Sequence, residues 1–323
     1  MTDKVLVTGG LGLVGSYVCR ALVAAGRRPV IYDSGSDPAL VADIAAQCDF
    51  VQGNIDDLPR LMGVVREHKP LAILHFAAQV GPLVEQFPWS SLHANLVGTA
   101  TIFECARLTG IERVIFPSSK MAYGPVAQRH RHPHYDPVAE DHPREPINFY
   151  GKLKRACEDV AAHYAGLYDL DIVAFRFGSS FGPGKVGRSN AIPVMGLIEA
   201  AIANRPFHLP SGADQFDDFS YSGESANAAV AALEAPPHRG EFRVYNISSG
   251  ELVSLAQIVD LLTELYPGWK GSAGPGLDYR NIGSGYYFRM AIDKARKELG
   301  FEPKFDFRSA VRDYANLFGR LAR

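Results

Sequence analysis

The chain has 323 residues, 47% of them hydrophobic, enough to bury a full α/β core and a smaller second lobe. Its 33 basic and 35 acidic side chains leave a formal net charge of -2, which gives no broad attraction to nucleic acid or to an anionic membrane surface. The opening residues Met1-Thr2-Asp3-Lys4 carry no signal-type segment, and no uncharged apolar run reaches about 18 residues, so a soluble cytoplasmic protein is expected.

Lys4 to Val7 reads as the first strand, and Thr8-Gly9-Gly10-Leu11-Gly12-Leu13-Val14-Gly15 follows it directly. A helix-like stretch, Ser16 to Ala25, comes next. Such a turn lets a pyrophosphate approach the free N–H groups of a helix N-terminus, so Gly9, Gly10, Leu11, Gly12, Leu13, Val14 and Gly15 form a candidate dinucleotide cradle. On this reading Gly10 makes the tight turn, Gly12 leaves room for the pyrophosphate and Gly15 lets the helix pack on the strand. The second apolar run, Val30-Ile31-Tyr32, ends in Asp33. A carboxylate there accepts hydrogen bonds from ribose hydroxyls and repels a 2′-phosphate, which favours NAD over NADP.

Further β-rich runs at Phe50 to Gln52, Ile73 to Phe76, Val114 to Pro117 and Ile172 to Phe175 alternate with helical stretches such as Val97 to Leu108 and Lys152 to Tyr168. That alternation predicts a parallel, doubly wound sheet. Cys19, Cys48, Cys105 and Cys157 lack paired spacing and read as reduced, mostly buried thiols. The histidine-rich stretch Gln128 to His134 carries proline and charge and reads as an exposed loop with no metal site. Beyond about residue 177 glycine and proline become frequent and the alternation is lost, while Arg243 to Ile247 reads as a strand able to rejoin the main sheet. The expected division is therefore 1–176 with about 219–247 for the cofactor, and 177–218 with 248–323 for a substrate lobe. A small-molecule substrate belongs in the crevice beyond the carboxyl ends of the strands.

Tyr150 and Lys154 stand four residues apart, on one face of the predicted helix. A neighbouring ammonium favours a phenolate, which makes Tyr150 a candidate base. The strand Val114-Ile115-Phe116 ends in Pro117-Ser118-Ser119, and of the two hydroxyls Ser119 is placed to hydrogen-bond the same substrate oxygen. A tyrosine and lysine at this spacing are most often a plain surface pair, and only the glycine turn and the serine strand around them argue for catalysis.

Taken in order, these motifs resemble the extended branch of the short-chain dehydrogenase/reductase superfamily, the NAD-dependent epimerase/dehydratase type. The resemblance also rests on Gly53-Asn54-Ile55-Asp56, His75-Phe76-Ala77-Ala78, Asn95 to Thr99, Ser119 to Gly124, Arg176-Phe177 with Phe181-Gly182-Pro183, and Asp293 to Pro303. It implies an α/β, Rossmann-type doubly wound parallel sheet with a smaller C-terminal substrate-binding lobe. It further implies NAD held by Asn54, Ile55, Phe76, Ala77, Ala78, Asn95, Tyr150, Lys154 and Phe177 besides the glycine turn and Asp33, with Asn95 also structural.

By the same resemblance Ser119, Tyr150 and Lys154 are catalytic, with Gln79, Lys120, Met121, Ser179, Asn190, Arg280 and Arg289 on the substrate side. Dehydratases of the family carry an Asp-Glu pair where this chain has Lys120 and Met121, so dehydration is disfavoured. Lys120 reads either as a substrate contact or as a solvated rim lysine. The family's usual Asn and Arg at a diphosphate are replaced by Ser179 and Asp217, and the latter change opposes a phosphate, leaving Arg280, Arg289 and Lys185 to compensate. A nucleotide-sugar epimerase leads, ahead of a dehydrogenase of a smaller hydroxy substrate and of a non-catalytic NAD sensor. A homodimer through the helix of Tyr150 and the helix after Asn95 is also implied, although Leu153, Ala156, Val160 and Tyr164 read equally as core.

Overall fold

The computed structural model describes residues 3–184 and 193–321. Its strands are β1 (Lys4–Thr8), β2 (Arg28–Asp33), β3 (Asp49–Gln52), β4 (Ile73–His75), β5 (Arg113–Ser119), β6 (Asp171–Phe177), β7 (Ser179–Phe181), β8 (Phe207–Leu209), β9 (Phe216–Tyr221), β10 (Phe242–Ile247), β11 (Leu252–Ser254) and β12 (Gly271–Ala273). The helices are α1 (Leu13–Ala24), α2 (Leu58–His68), α3 (Pro82–Gln86), α4 (Pro88–Leu92), α5 (Gly98–Thr109), α6 (Phe149–Tyr168), α7 (Pro193–Ile202), α8 (Ser222–Glu234), α9 (Leu255–Leu265), α10 (Asp293–Leu299) and α11 (Phe307–Leu321).

Seven strands pair in the order β10-β6-β5-β4-β1-β2-β3, and every pairing among them is parallel. The apolar runs explain why: a parallel sheet covered by helices is buried on both faces. Val5, Val7, Leu74, Ile115 and Val173 enter one core layer, while Leu6, Ile73, Val114 and Ile172 enter the other. This is the two-residue alternation of a pleated strand. As the sequence predicts, β10 rejoins the sheet, beside β6. Strands β11, β9 and β7 form a second sheet, and β12 pairs with β8. One apolar cluster runs from β1 and α1 into α9 and α11.

Two local features differ from expectation. The tight turn after β1 is made by Gly9, at φ +70°, rather than by Gly10. A Cβ at Gly9 would stand 2.4 Å from the Ala77 nitrogen, so the close approach of the chain leaving β4 demands the glycine there. In the histidine-rich stretch, His130 is buried rather than exposed, bonded to the Asp136 carbonyl and to Arg129 Nε, each at 2.9 Å. All four cysteines are free and buried. Among the described residues no helix is long and apolar enough to cross a membrane, and no group of three or more His, Cys, Asp or Glu side chains is arranged to hold a metal.

Candidate functional site

The carboxyl ends of six neighbouring strands, β1 to β6, bring the predicted residues to one edge of the sheet. Thr8 pairs with Tyr32 and His75, Asp33 with Gln52, and Ser119 with Phe177. Gly9, Asp33, Asn54, Phe76, Ser119 and Phe177 therefore all sit at or just beyond that edge.

At β1, helix α1 begins after Gly12, and no side chain caps it. Its first backbone N–H groups are left for an incoming anion, as a pyrophosphate cradle requires. Asp33 buttresses this turn, because Oδ2 accepts from Leu11 N–H at 3.0 Å and Oδ1 from Gly35 N–H at 2.9 Å. Each carboxylate oxygen keeps acceptor capacity for a ribose hydroxyl. Arg27 and Arg28 lie at the opposite end of β2, paired with Asp3 and Asp49, and offer no charge to a 2′-phosphate. Tyr32 Oη donates to the Asn54 carbonyl at 2.8 Å and fixes the loop after β3. Ile55 packs where a Cβ at Gly98 would collide, locking that loop to α5. These features fit NAD.

Asn95 acts on the segment after β4 through its backbone. Its Oδ1 accepts from Gln79 N–H at 2.8 Å and its Nδ2 donates to the Gln79 carbonyl at 2.9 Å, which holds Phe76 to Gln79 in place. Asn95 stands in a π-helical turn, His93–Val97, a distortion often retained at functional sites. The Gln79 amide bonds Ser90 through Nε2 and Ser91 through Oε1, each at 2.8 Å. His75, below them, bonds Thr8 at 2.7 Å and Thr99 at 3.0 Å. Burial, reinforced by the Lys154 charge, holds it down to about 3, so it is a neutral imidazole.

Helix α6 starts at an Asn148 cap whose Oδ1 accepts from Gly151 N–H at 2.7 Å. At Gly151 a Cβ would lie 2.4 Å from the Met121 carbonyl, so this glycine seats the first turn of α6, with Tyr150, directly on the Ser119 loop. Ser119 Oγ accepts from Met121 N–H at 3.2 Å, leaving its own proton to donate. Lys154, buried, donates to the Pro117 carbonyl at 2.7 Å, and its Nζ lies 5.7 Å from the Tyr150 ring centroid. Two of its three protons remain available. Ser118, the other hydroxyl, is buried and donates to Glu158.

Glu158 was not singled out by sequence reasoning, although it continues the four-residue spacing of Tyr150 and Lys154 along α6. Its carboxylate accepts from Ser118, from Arg176 at 2.9 and 2.6 Å, and from Arg144 at 2.9 Å. Burial raises Glu158, but the Arg176 guanidinium, with Ser118 and Arg144, outweighs it and holds the carboxyl below its ordinary value. One buried charge thus ties β5, α6 and β6 together behind the site.

The substrate side departs most from expectation. Lys120 is neither a solvated rim lysine nor a free substrate contact: its ammonium is buried against Asp217 Oδ1 at 2.5 Å. Asp217 also accepts from Ser179 at 2.5 Å and Tyr279 at 2.9 Å. A buried ammonium needs such a partner, and the pairing corrects the expectation that Asp217 repels a diphosphate, because its charge is neutralised and fully buried. Arg289 Nε donates to the Gly250 carbonyl at 2.9 Å, and its side chain lines a cleft that contains none of Ser119, Tyr150 or Lys154. The guanidinium of Arg280 has no hydrogen-bond or ion-pair partner among the described residues. Asn190 and Lys185 lie outside the described residues. Asp218, next to Asp217, is pushed up to about 7 by burial.

Residues 5–248 match the model of the NAD dependent epimerase/dehydratase family. A UDP-glucose 4-epimerase of Rhizobium meliloti is 31% identical, over 98% of either chain. Among solved structures, a UDP-glucose 4-epimerase of Brucella ovis in complex with NAD is similar at 27% identity and TM-score 0.82, covering 98% of each chain. The fold is also that of a Thermotoga maritima UDP-glucose 4-epimerase solved with UDP-glucose, with TM-score 0.84 at 24% identity, over 99% of this chain and 100% of that one.

Proposed function

The chain belongs to the NAD dependent epimerase/dehydratase family, and from that premise we propose that it epimerises a ring carbinol of a nucleotide sugar, with Ser119, Tyr150 and Lys154 as its catalytic residues. The observation that carries the reading is the seating of the Tyr150 turn on the Ser119 loop through Gly151, with the Lys154 ammonium behind the ring. NAD held by the glycine turn and Asp33 would supply the redox chemistry, accepting a hydride from the carbinol carbon and giving it back to the ketone. Tyr150 removes the hydroxyl proton and later gives it back, while Ser119 donates a hydrogen bond to the same oxygen. Lys154 stabilises negative charge on the phenol oxygen and holds the nicotinamide ribose.

In this reading residues 1–176 with about 219–247 hold the cofactor, and 177–218 with 248–323 close over the sugar. Relatives that act on UDP-glucose support a nucleotide diphosphate as the carrier. Arg280, next to Tyr279 of the Asp217 network, supplies the free cation for it. The chain works as a homodimer through α5 and α6.

The test is turnover of UDP-glucose followed at the reduced-nicotinamide wavelength. Product sugar should accumulate while absorbance stays flat, whereas NADH released in step with product would identify a dehydrogenase. Tyr150→Phe should keep NAD binding and lose about 10²- to 10⁴-fold in turnover. Retained turnover in that variant would remove Tyr150 from its role.

A further inference from the structure

We propose that the cleft between the histidine-rich loop and β9 is a second ligand site, which takes a small phosphate or carboxylate anion borne on a ring. The cleft has a volume of about 310 Å³ and is lined by His132, Pro133, His134, Tyr135, Phe216, Leu252 and Arg289. That is at the small end of ligand pockets and suits a single substituted ring.

Its lining has no carboxylate and three basic side chains. The buried Nδ1 of His132 has no hydrogen-bond partner, although buried polar atoms are nearly always paired. Across the cleft, Arg289 commits only Nε, to the Gly250 carbonyl, and its two terminal nitrogens have no hydrogen-bond or ion-pair partner among the described residues. A guanidinium fork beside the His132 and His134 rings recognises a phosphate or carboxylate, and a guanidinium repels a metal ion. The apolar wall is Tyr135 with Phe216, ring centroids 6.0 Å apart, and Tyr135 is fixed by a 2.9 Å hydrogen bond from Gln215.

The cleft is separate from the Ser119 site. Successive strand residues face opposite ways, so Phe216 looks into the cleft while Asp217 looks toward Lys120 and Ser179. Leu252 pairs in register with Asp218 and shares the Phe216 face. Asp218 stands on that same face but is fully buried and lines no part of the cleft, bonded to Ser248 and to Met290 N–H, each at 2.9 Å.

Calorimetric titration of the NAD-loaded protein with phenyl phosphate, benzoate, inorganic phosphate and benzyl alcohol tests the assignment. Phenyl phosphate or benzoate should bind saturably below about 10 mM, inorganic phosphate more weakly for want of the ring, and benzyl alcohol not at all. Which of the two ring anions binds tighter identifies the charged group. Arg289→Gln, at an exposed position that does not endanger folding, and His132→Ala should each weaken the binding about tenfold or more. Absence of saturable binding, equal affinity in Arg289→Gln, or binding of benzyl alcohol as tight as that of the anions would overturn it.

Discussion

A Cβ at Gly12 would meet only the Gly9 carbonyl oxygen, at 3.1 Å, whereas one at Gly15 would stand 2.1 Å from the same atom. The two glycines therefore do different work. Gly12→Ala should change stability by less than about 1 kcal/mol while lowering NAD affinity, because its methyl occupies the space the pyrophosphate needs. Gly15→Ala forces the start of α1 off β1 and should cost more than about 2 kcal/mol before any ligand is added. Denaturant unfolding of the apo variants, with NAD titrations alongside, separates these outcomes; equal stability losses would contradict the division. Much at this scale was legible, since the glycine spacing, Asp33, Ser119, Tyr150 and Lys154 are local patterns. The tight turn was placed at Gly10 rather than Gly9 because the constraint on Gly9 comes from Ala77, far along the chain. The Lys120–Asp217 pair was illegible for the same reason: its members are 97 residues apart, and alone one reads as a rim lysine or substrate contact and the other as a charge opposed to a phosphate.

Elements whose character comes from their own residues were read correctly, and those set by neighbours were not. The buried parallel strands are near-continuous apolar runs, so their positions and the return of β10 followed from the sequence. The π-helical turn at Asn95 carries no such signature, being held by Gln79 and by the Cys157 thiol that donates to the Asn95 carbonyl. Helix α6 illustrates both cases. Of the positions considered for a dimer face, Leu153 is buried, while Val160 and Tyr164 are partly buried and pack against the core beneath the sheet. Exposed apolar surface on these two helices lies instead at Leu108, Leu167 and Tyr168. If α5 and α6 pair across a two-fold axis, as proposed, those side chains are covered. Light scattering should then give about twice the 35.2 kDa chain mass, and Leu167→Glu should shift the population toward monomer. A monomeric wild type at micromolar concentration would sink the dimer.

For the molecule as a whole, stability against pH is governed by buried groups of opposite sense. Burial pushes Asp218 from 3.8 up to about 7, so the folded state holds this proton more tightly than the unfolded chain. Its contribution is present in full below about pH 4 and is lost as pH rises toward 7. His75 runs the other way: burial lowers it from 6.5 to about 3, and the stability it lends above pH 6.5 is lost as pH falls. Each slope approaches about 1.4 kcal/mol per pH unit where the two states differ by one proton. Between about pH 4 and 6.5 the two nearly cancel, so wild-type stability should be close to flat there. Asp218→Asn leaves a side chain that still accepts from Ser248 and Met290 N–H but no longer titrates. Its stability should rise with pH across that interval, driven by His75, and its difference from wild type should grow up to about pH 7 and then level. Urea unfolding of both proteins at half-unit steps from pH 4 to 8 reads this difference directly. A gap independent of pH would mean that Asp218 is ionised throughout, compensated by the Lys120 charge beside it rather than protonated in the folded core.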